Sequence, residues 1–330
     1  GIDGLLKSIL IESWMQGFRS LPIKTLDTSS QQSPAEIVDA LWQELAIPSY
    51  DNEIAILDGK RHVIRAVPRP LAQAPTATEG NQGRLLDCGE SSDKLAQPTT
   101  ADTGQQLPLT RGGTWICTGG ARGITAFVTE KLALRYGLKL HLLGTAPTPH
   151  VDPAWRNLDS ASLRQLKVQT MTTARAAGGN PVKAWQETEK ALEIDATLAR
   201  LAQAGIEAHY HSCNCSDRSA VTATLAKVRA LSGPIHGVLH GAGVGKDSRF
   251  DRKQPEKVEQ CIAAKVDGAL ALMAATEHDP LECFIGFGSI SGRFGANGHT
   301  DYSLANDMLC KTIDWLAGAR PEVKAIGFHW

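Results

Sequence analysis

From Thr114 to its C-terminus the chain alternates short apolar runs with longer amphipathic ones. "TWICTGG" reads as a buried strand entering a glycine turn, and "ITAFVTEKLALRYG" as a helix closed by glycine. "LKLHLLG", "IEAHYHSCNC", "IHGVLHGAG", "ECFIGFGSI" and "VKAIGFHW" read as further strands. Helices are predicted over "DRSAVTATLAKVRALSG", over "QPEKVEQCIAAKVDGALALMAAT" as one element, and after Tyr302. Strands alternating with helices in this way predict an α/β fold, a doubly wound parallel sheet of Rossmann-like type. Ligands of such sheets sit at the strand carboxyl ends. The stretch from about Asp152 to Ala204 is too long for one crossover and is rich in Ala, Leu, Lys and Glu, so inserted helices are expected there. An interaction surface and simple elaboration both fit that insertion.

The region before it has a different texture. "GLLKSILIESWMQGF" places Leu6, Ile9, Leu10 and Met15 at helical spacing and predicts a docking helix. In "SPAEIVDALWQEL", Ser33 is placed as N-cap, Pro34 at the first helical position and Glu36 to close a capping box. "EIAILDGKRHVIRAV" predicts a hairpin turning at Asp58-Gly59. From Pro68 to about Gly113 the composition shifts to Pro, Ala, Thr, Gln and Gly, which is linker chemistry, with one more strand and turn in "GRLLDCGESSDKLAQP". The predicted division is 1–108 for this region with its linker, and 109–330 for the alternating region with its insertion at about 152–204.

Charge is balanced, with 34 Lys and Arg against 35 Asp and Glu, which argues against nucleic acid or an anionic membrane as the main partner. No stretch is long and apolar enough to span a bilayer. Seven cysteines, an odd number without framework spacing, suit a reducing cytosol, so a cytoplasmic location is expected. Cys213 and Cys215 lack a second pair to complete a metal site, and His209 and His211 are alternate residues of one strand face, so no metal is expected. The chain opens on "GIDG" without Met and stops at the apolar "IGFHW"; it reads as a segment of a longer polypeptide.

Chemistry enters at two glycine motifs. "TGGARGIT", comprising Thr118, Gly119, Gly120, Ala121, Arg122, Gly123, Ile124 and Thr125, follows the first strand and opens a helix. Small residues there admit a pyrophosphate to the backbone, and a helix N-terminus favours its charge. "HGAG", comprising His240, Gly241, Ala242 and Gly243, ends the fourth strand, where glycine lets the backbone lie beside a cofactor. Either motif alone is read equally well as a tight turn; the two in this order point to a dinucleotide site. Thr125 stands where the usual pattern has its third glycine.

"HTDYSLANDML" sets Tyr302 and Asn306 one helical turn apart. Ordinary short-chain dehydrogenases have Lys at the second position. Here a lysine, Lys265, lies in the earlier helix segment "AAKVDG", and Ser289 ends the fifth strand in "GSISG". Taken singly, Lys265 is a solvated helix charge, Ser289 a strand-end turn residue and Asn306 a helix polar. Together, at these offsets, they resemble the ketoreductase domains of modular and iterative type I polyketide and fatty-acid synthases, members of the short-chain dehydrogenase/reductase superfamily. In that family Lys and Asn exchange places, so the resemblance implies a catalytic tetrad of Lys265, Ser289, Tyr302 and Asn306. It further implies NADPH, held by Thr118 to Ile124, Gly144, Thr145, Asn214, Cys215 and His240 to Gly243. The implied substrate is a β-ketoacyl thioester on acyl carrier protein, with neighbouring synthase domains as further partners. The first region resembles the family's structural subdomain, a truncated nucleotide-fold relative that binds no cofactor. "GARGIT", the helical insertion and "GFGSISGRFGANGHTDYSLAND" resemble most the iterative synthases of polyunsaturated fatty acids and enediyne polyenes.

Departures from the family pattern qualify these implications. Thr145 stands where an Arg commonly holds the 2′-phosphate, and Asn214 where an Asp commonly lies beside adenine. Arg122, inside the glycine turn, occupies a place where many NADPH-using short-chain dehydrogenases have a basic residue, and NADPH preference is expected to rest on it. "AGVGKD" retains only Asp247 of the family's "LDD", and Phe294 replaces the Trp that marks the opposite stereochemical type, so the D-hydroxyl product is expected. Two rival readings are a catalytically silent reductase-like scaffold, against which the intact tetrad argues, and a free-standing dehydrogenase for a small alcohol, against which the first region argues.

Overall fold

A computed structural model of the chain describes residues 2–18, 23–28, 31–47, 49, 51–57, 59–64, 109–245 and 247–330. The opening helix is α1 (Ile2–Met15). It is followed by β1 (Thr25–Thr28), α2 (Pro34–Ala46), β2 (Glu53–Leu57) and β3 (Lys60–Val63). The capping box forms as read: Ser33 Oγ accepts from Glu36 N–H, and the Glu36 carboxylate accepts from Ser33 N–H at 2.7 Å. β2 and β3 pair antiparallel, with Leu57 opposite Lys60. β1 was not anticipated; it adds parallel to β2. Its sequence "TLDT" has one apolar residue, too few to show an alternation. The expected strand and turn in "GRLLDCGESSDKLAQP", and most of the expected linker, lie outside the described residues.

The alternating region forms all six expected strands: β4 (Thr114–Thr118), β5 (Lys139–Gly144), β6 (Ala208–Ser212), β7 (Ile235–His240), β8 (Cys283–Phe287) and β9 (Lys324–Phe328). They make one parallel sheet in the order β6-β5-β4-β7-β8-β9. Every residue of β4 is buried, as expected for a central strand with helices on both faces. The crossovers carry α3 (Gly123–Tyr136), α6 (Arg218–Ser232), α7 (Pro255–Ile262), α8 (Gly268–Ala275), α9 (Ile290–Phe294) and α10 (Thr300–Ala319). The strand order reverses between β4 and β7, which opens a crevice at their carboxyl ends. The insertion is helical as expected, with α4 (Ser160–Ala176) and α5 (Pro181–Gln203) each N-capped by a side chain, Asp159 and Asn180. The helix expected over "QPEKVEQCIAAKVDGALALMAAT" forms as one uninterrupted run, with a single π-helical turn (the π-turn), Ala263–Asp267, between its α-helical parts α7 and α8. Among the described residues no helix is long and apolar enough to cross a membrane.

The chain divides into Ser13–Pro108 and a larger unit made of Gly1–Glu12 and Leu109–Trp330. The change-over at 108/109 coincides with the expected boundary; residues 1–12 differ from the expectation, because most of α1 packs with the larger unit. The docking face of α1 is corrected too. Gly4, Ser8, Leu10 and Glu12 are the buried positions, whereas Met15 is exposed. A Cβ on Gly4 would lie 2.6 Å from the Ser303 carbonyl oxygen, so only glycine admits α10 this closely. Ser8 Oγ bonds Ser303 Oγ at 2.8 Å and accepts from Ala296 N–H at 3.1 Å. The Glu12 carboxylate accepts from Phe250 N–H at 2.8 Å and Gly298 N–H at 3.1 Å.

Candidate active site

The glycine turn lies at the crevice. Gly119 has φ +69°, and a Cβ there would sit 3.0 Å from the Gly241 carbonyl oxygen, so the ends of β4 and β7 meet backbone to backbone. Arg122 is the N-cap of α3 in extended conformation and makes no side-chain cap, which leaves the helix's first N–H groups facing the cleft. A Cβ on Gly241 would lie 2.6 Å from Thr125 Oγ1; the room that a third motif glycine would give is supplied by Gly241 instead. The resulting cleft of about 770 Å³ is lined by Gly119, Ala121, Arg122, Gly123, Ile124, Gly144, Thr145, Asn214, Cys215, Gly241, Ala242 and Gly243, and also by Lys265 and Tyr302.

Three residues expected to touch a cofactor stand behind this wall. Gly120 packs against Cys117 and Leu142. Thr118 Oγ1 lies 2.7 Å from His240 Nδ1 and accepts from Ala242 N–H at 3.2 Å. His240 Nε2 lies 2.9 Å from the Lys265 carbonyl oxygen, which can only accept, so the ring proton is on Nε2 and Nδ1 accepts from Thr118. Complete burial, then the Lys265 charge, push His240 down to about 4 and keep the ring neutral. His240 thus ties the end of β4 to the turn that carries Lys265.

That turn is the π-turn. Its extra residue rotates Lys265 inward, and such turns recur at functional sites. Lys265 is 4% exposed, its Nζ donates to the Phe287 carbonyl at 2.5 Å, and burial lowers it to about 8. A Cβ on Gly243 would lie 2.7 Å from Lys265 Cε, and one on Gly245 3.3 Å from Tyr302 Cδ2, so the loop that leaves β7 runs directly over both side chains. Tyr302 sits half-buried in the first turn of α10. Its N–H donates to Asp301 Oδ1 at 2.8 Å, and the Asp301 carboxylate pairs with Lys253 at 2.6 Å.

Ser289 and Asn306 do not line the cleft. Ser289 caps α9, accepting from Ser291 N–H at 3.2 Å and from Ser291 Oγ at 2.9 Å. Asn306 is fully buried; its Nδ2 donates to the Tyr302 carbonyl at 2.7 Å, and its Oδ1 has no partner among the described residues. Asn214 Oδ1 is engaged by Ser216 N–H and Oγ within its own turn. Asp247 is exposed and lies 2.9 Å from His299 Nε2, and Phe294 is exposed at the end of α9; neither lines the cleft. His209 and His211 flank His141, whose ring stacks on both at 5.2 Å. Among the described residues no group of three or more His, Cys, Asp or Glu is placed to hold a metal ion.

The cleft also has lining residues that sequence reasoning missed. Lys190 and Ile194 come from the inserted helix α5, Tyr210 from β6, Gln260 from α7, and Trp330 is the last residue. Arg122 Nε donates to Glu193, again on α5. Nothing local in the "AWQETEKALEIDATL" pattern marks these residues; only the fold of the insertion brings them to the motif.

Residues 113–330 match the family model of the KR domain. A polyunsaturated fatty acid synthase polypeptide from Thraustochytrium sp. is 27% identical in an alignment of 234 residues that covers 68% of this chain and 8% of that protein. The polyketide synthase PksL of Bacillus subtilis is 37% identical over 109 residues, 33% of this chain and 2% of that protein. The chain therefore spans less than a tenth of either relative. Among solved structures, a ketoreductase domain from the bacillaene assembly line aligns with TM-score 0.63 at 21% identity, covering 100% of this chain and 61% of that one. An N-terminal ketoreductase from the macrolactin assembly line aligns with TM-score 0.63 at 20% identity, covering 97% and 50%. At these identities the structures share the fold.

Proposed function

The chain belongs to the KR domain family, and on that premise we propose that it is an NADPH-dependent β-ketoacyl reductase working within a polyketide or fatty-acid synthase. Its substrate would be a β-ketoacyl thioester carried on acyl carrier protein, and its neighbours the other domains of that synthase. The observation that supports this most is the meeting of Lys265, from a π-turn, and Tyr302, from α10, in one cleft with the glycine turn. The cleft fits a dinucleotide: Gly119 admits it to the backbone and the uncapped α3 N-terminus suits its pyrophosphate.

The chemistry that NADPH supplies when bound is a hydride to the β-carbon. Negative charge would then develop on the β-oxygen, and the Tyr302 hydroxyl would give that oxygen its proton, so that the ketone becomes a hydroxyl. The Lys265 ammonium stabilises the phenolate left behind, because opposite charges favour the ionised form. Ser289 Oγ would turn from its cap to hydrogen-bond the substrate carbonyl and orient it. Asn306, whose buried Oδ1 has no partner among the described residues, would hold the water that returns a proton toward Tyr302. NADPH in preference to NADH would rest on Arg122, whose guanidinium can pair with a 2′-phosphate. The D-hydroxyl product remains the expectation carried by Asp247 and Phe294, and chiral chromatography of the reduced thioester, with mainly the L-isomer appearing, would overturn it.

The test is whether the chain oxidises NADPH in the presence of a surrogate β-ketoacyl thioester and yields the β-hydroxy product. Dinucleotide binding without any turnover would favour the silent scaffold instead.

A further inference from the structure

The insertion is docked on the glycine-turn side of the cleft. Two ion pairs tie α5 to α3 and the turn before it: Arg200 Nε to Glu130 at 2.6 Å, and Arg122 Nε to Glu193. Ile194, 2% exposed, seals the helix against the sheet end and lines the cleft. Lys190, one helical turn before Ile194, lines the cleft with it. The Lys190 side chain has no ion-pair partner among the described residues. This end of the cleft is the one away from Tyr302: Thr145 lines it, and Tyr210, beside Gly144, donates to the Ala146 carbonyl at 2.9 Å. Thr145 brings no charge there; among the described residues the cations facing this end are Arg122 and Lys190, and the anion beside them is Glu193.

Resting on the reading of the cleft as a nucleotide site, we propose that the inserted helix completes the recognition of the dinucleotide's 2′-phosphate: Lys190 supplies a cation, and Glu193 competes with the phosphate for Arg122. A phosphate monoester carries close to two negative charges at neutral pH and takes several charge-assisted hydrogen bonds at once. One guanidinium already engaged by a carboxylate meets that demand poorly. A second cation on the facing helix redresses it. Lys190 suits the role because an ammonium on a flexible stem reaches a phosphate as a point charge. A dinucleotide with a free 2′-hydroxyl makes no such demand, so its affinity is independent of Lys190. The insertion thereby acquires a function in cofactor choice, and the absence of an arginine at Thr145 is made good from a different element.

The test is titration calorimetry of the full chain with NADP⁺ and with NAD⁺, without substrate, for the parent, Lys190→Ala, Lys190→Arg and Glu193→Gln. In the parent, NADP⁺ should bind more tightly. Lys190→Ala should weaken NADP⁺ about tenfold and leave NAD⁺ within about twofold, while Lys190→Arg keeps the parent's preference. Glu193→Gln should tighten NADP⁺ by a few-fold. An unchanged NADP⁺ to NAD⁺ ratio in Lys190→Ala, equal loss of both ligands, or weaker NADP⁺ binding in Glu193→Gln would overturn the proposal while leaving the nucleotide site standing. A parent that binds neither dinucleotide would remove the site itself.

Discussion

Burial drives the Lys265 ammonium down to about 8, while stabilising a phenolate requires it charged. The two demands fix a window: at neutral pH the lysine is still largely protonated, and above about 8 it loses the charge. The kcat/KM for ketone reduction is therefore expected to be level around neutrality and to fall as pH rises through about 8, and a profile flat to about pH 9.5 would contradict the role given to Lys265. Lys265→Ala is expected to lose about 10²–10³-fold in turnover and that alkaline limb together. At this scale part of the site was legible. The glycine motifs, Lys265 and Tyr302 were singled out by their order and spacing and line one cleft, whereas Ser289 and Asn306, singled out with them, do not line it. What was hidden is contact made by fold. Thr125 looked like a defect in the motif, but Gly241 supplies its room from another strand. Thr118 and His240 looked like cofactor ligands, but they bond each other and the backbone of Lys265.

Elements differ in what their patterns reveal. All six parallel strands carried their own signal, because buried strands are short apolar runs bounded by turn residues. The π-turn between α7 and α8 did not, since it needs one extra residue within a continuous helix and no distinctive composition. α1 misled in an instructive way: a helix is read by its apolar stripe, but this one docks through Gly4, Ser8 and Glu12. Glu12 serves two buried or half-buried N–H groups, at Phe250 and Gly298, and the second lies just before the Tyr302 helix. Removing a carboxylate that accepts two such bonds strands both donors. Glu12→Ala is thus expected to cost roughly 2–4 kcal/mol, measured by chemical denaturation, and to lower turnover by loosening the approach to α10. A change below about 0.5 kcal/mol would mean that α1 is not a support of that segment.

Across the whole molecule, two buried histidines are held near pKa 4 by burial, His141 with its neighbouring imidazoles and His240 with Lys265 adding to the effect. Unfolded, each would titrate near 6.5. The unfolded chain then binds more protons between these values, so their contribution is fully present above about pH 6.5 and is lost as pH falls towards about 4. Urea midpoints should drop between about pH 7.5 and about pH 4.5, by roughly 2–5 kcal/mol in stability; constant midpoints would mean that the rings are already charged when folded. The sheet order was implied by the strand–helix alternation, whereas the assignment of residues 1–12 to the larger unit was not, since long-range polar contacts leave no local period. The claim on which the rest depends is that Tyr302, beside Lys265, gives the proton in a cleft built for a dinucleotide. It is tested most directly by Tyr302→Phe, with turnover of a β-ketoacyl thioester and NADP⁺ affinity measured on the same preparation. Turnover should fall by about 10²–10⁴-fold with cofactor affinity within about twofold of the parent; turnover persisting within a few-fold would contradict it.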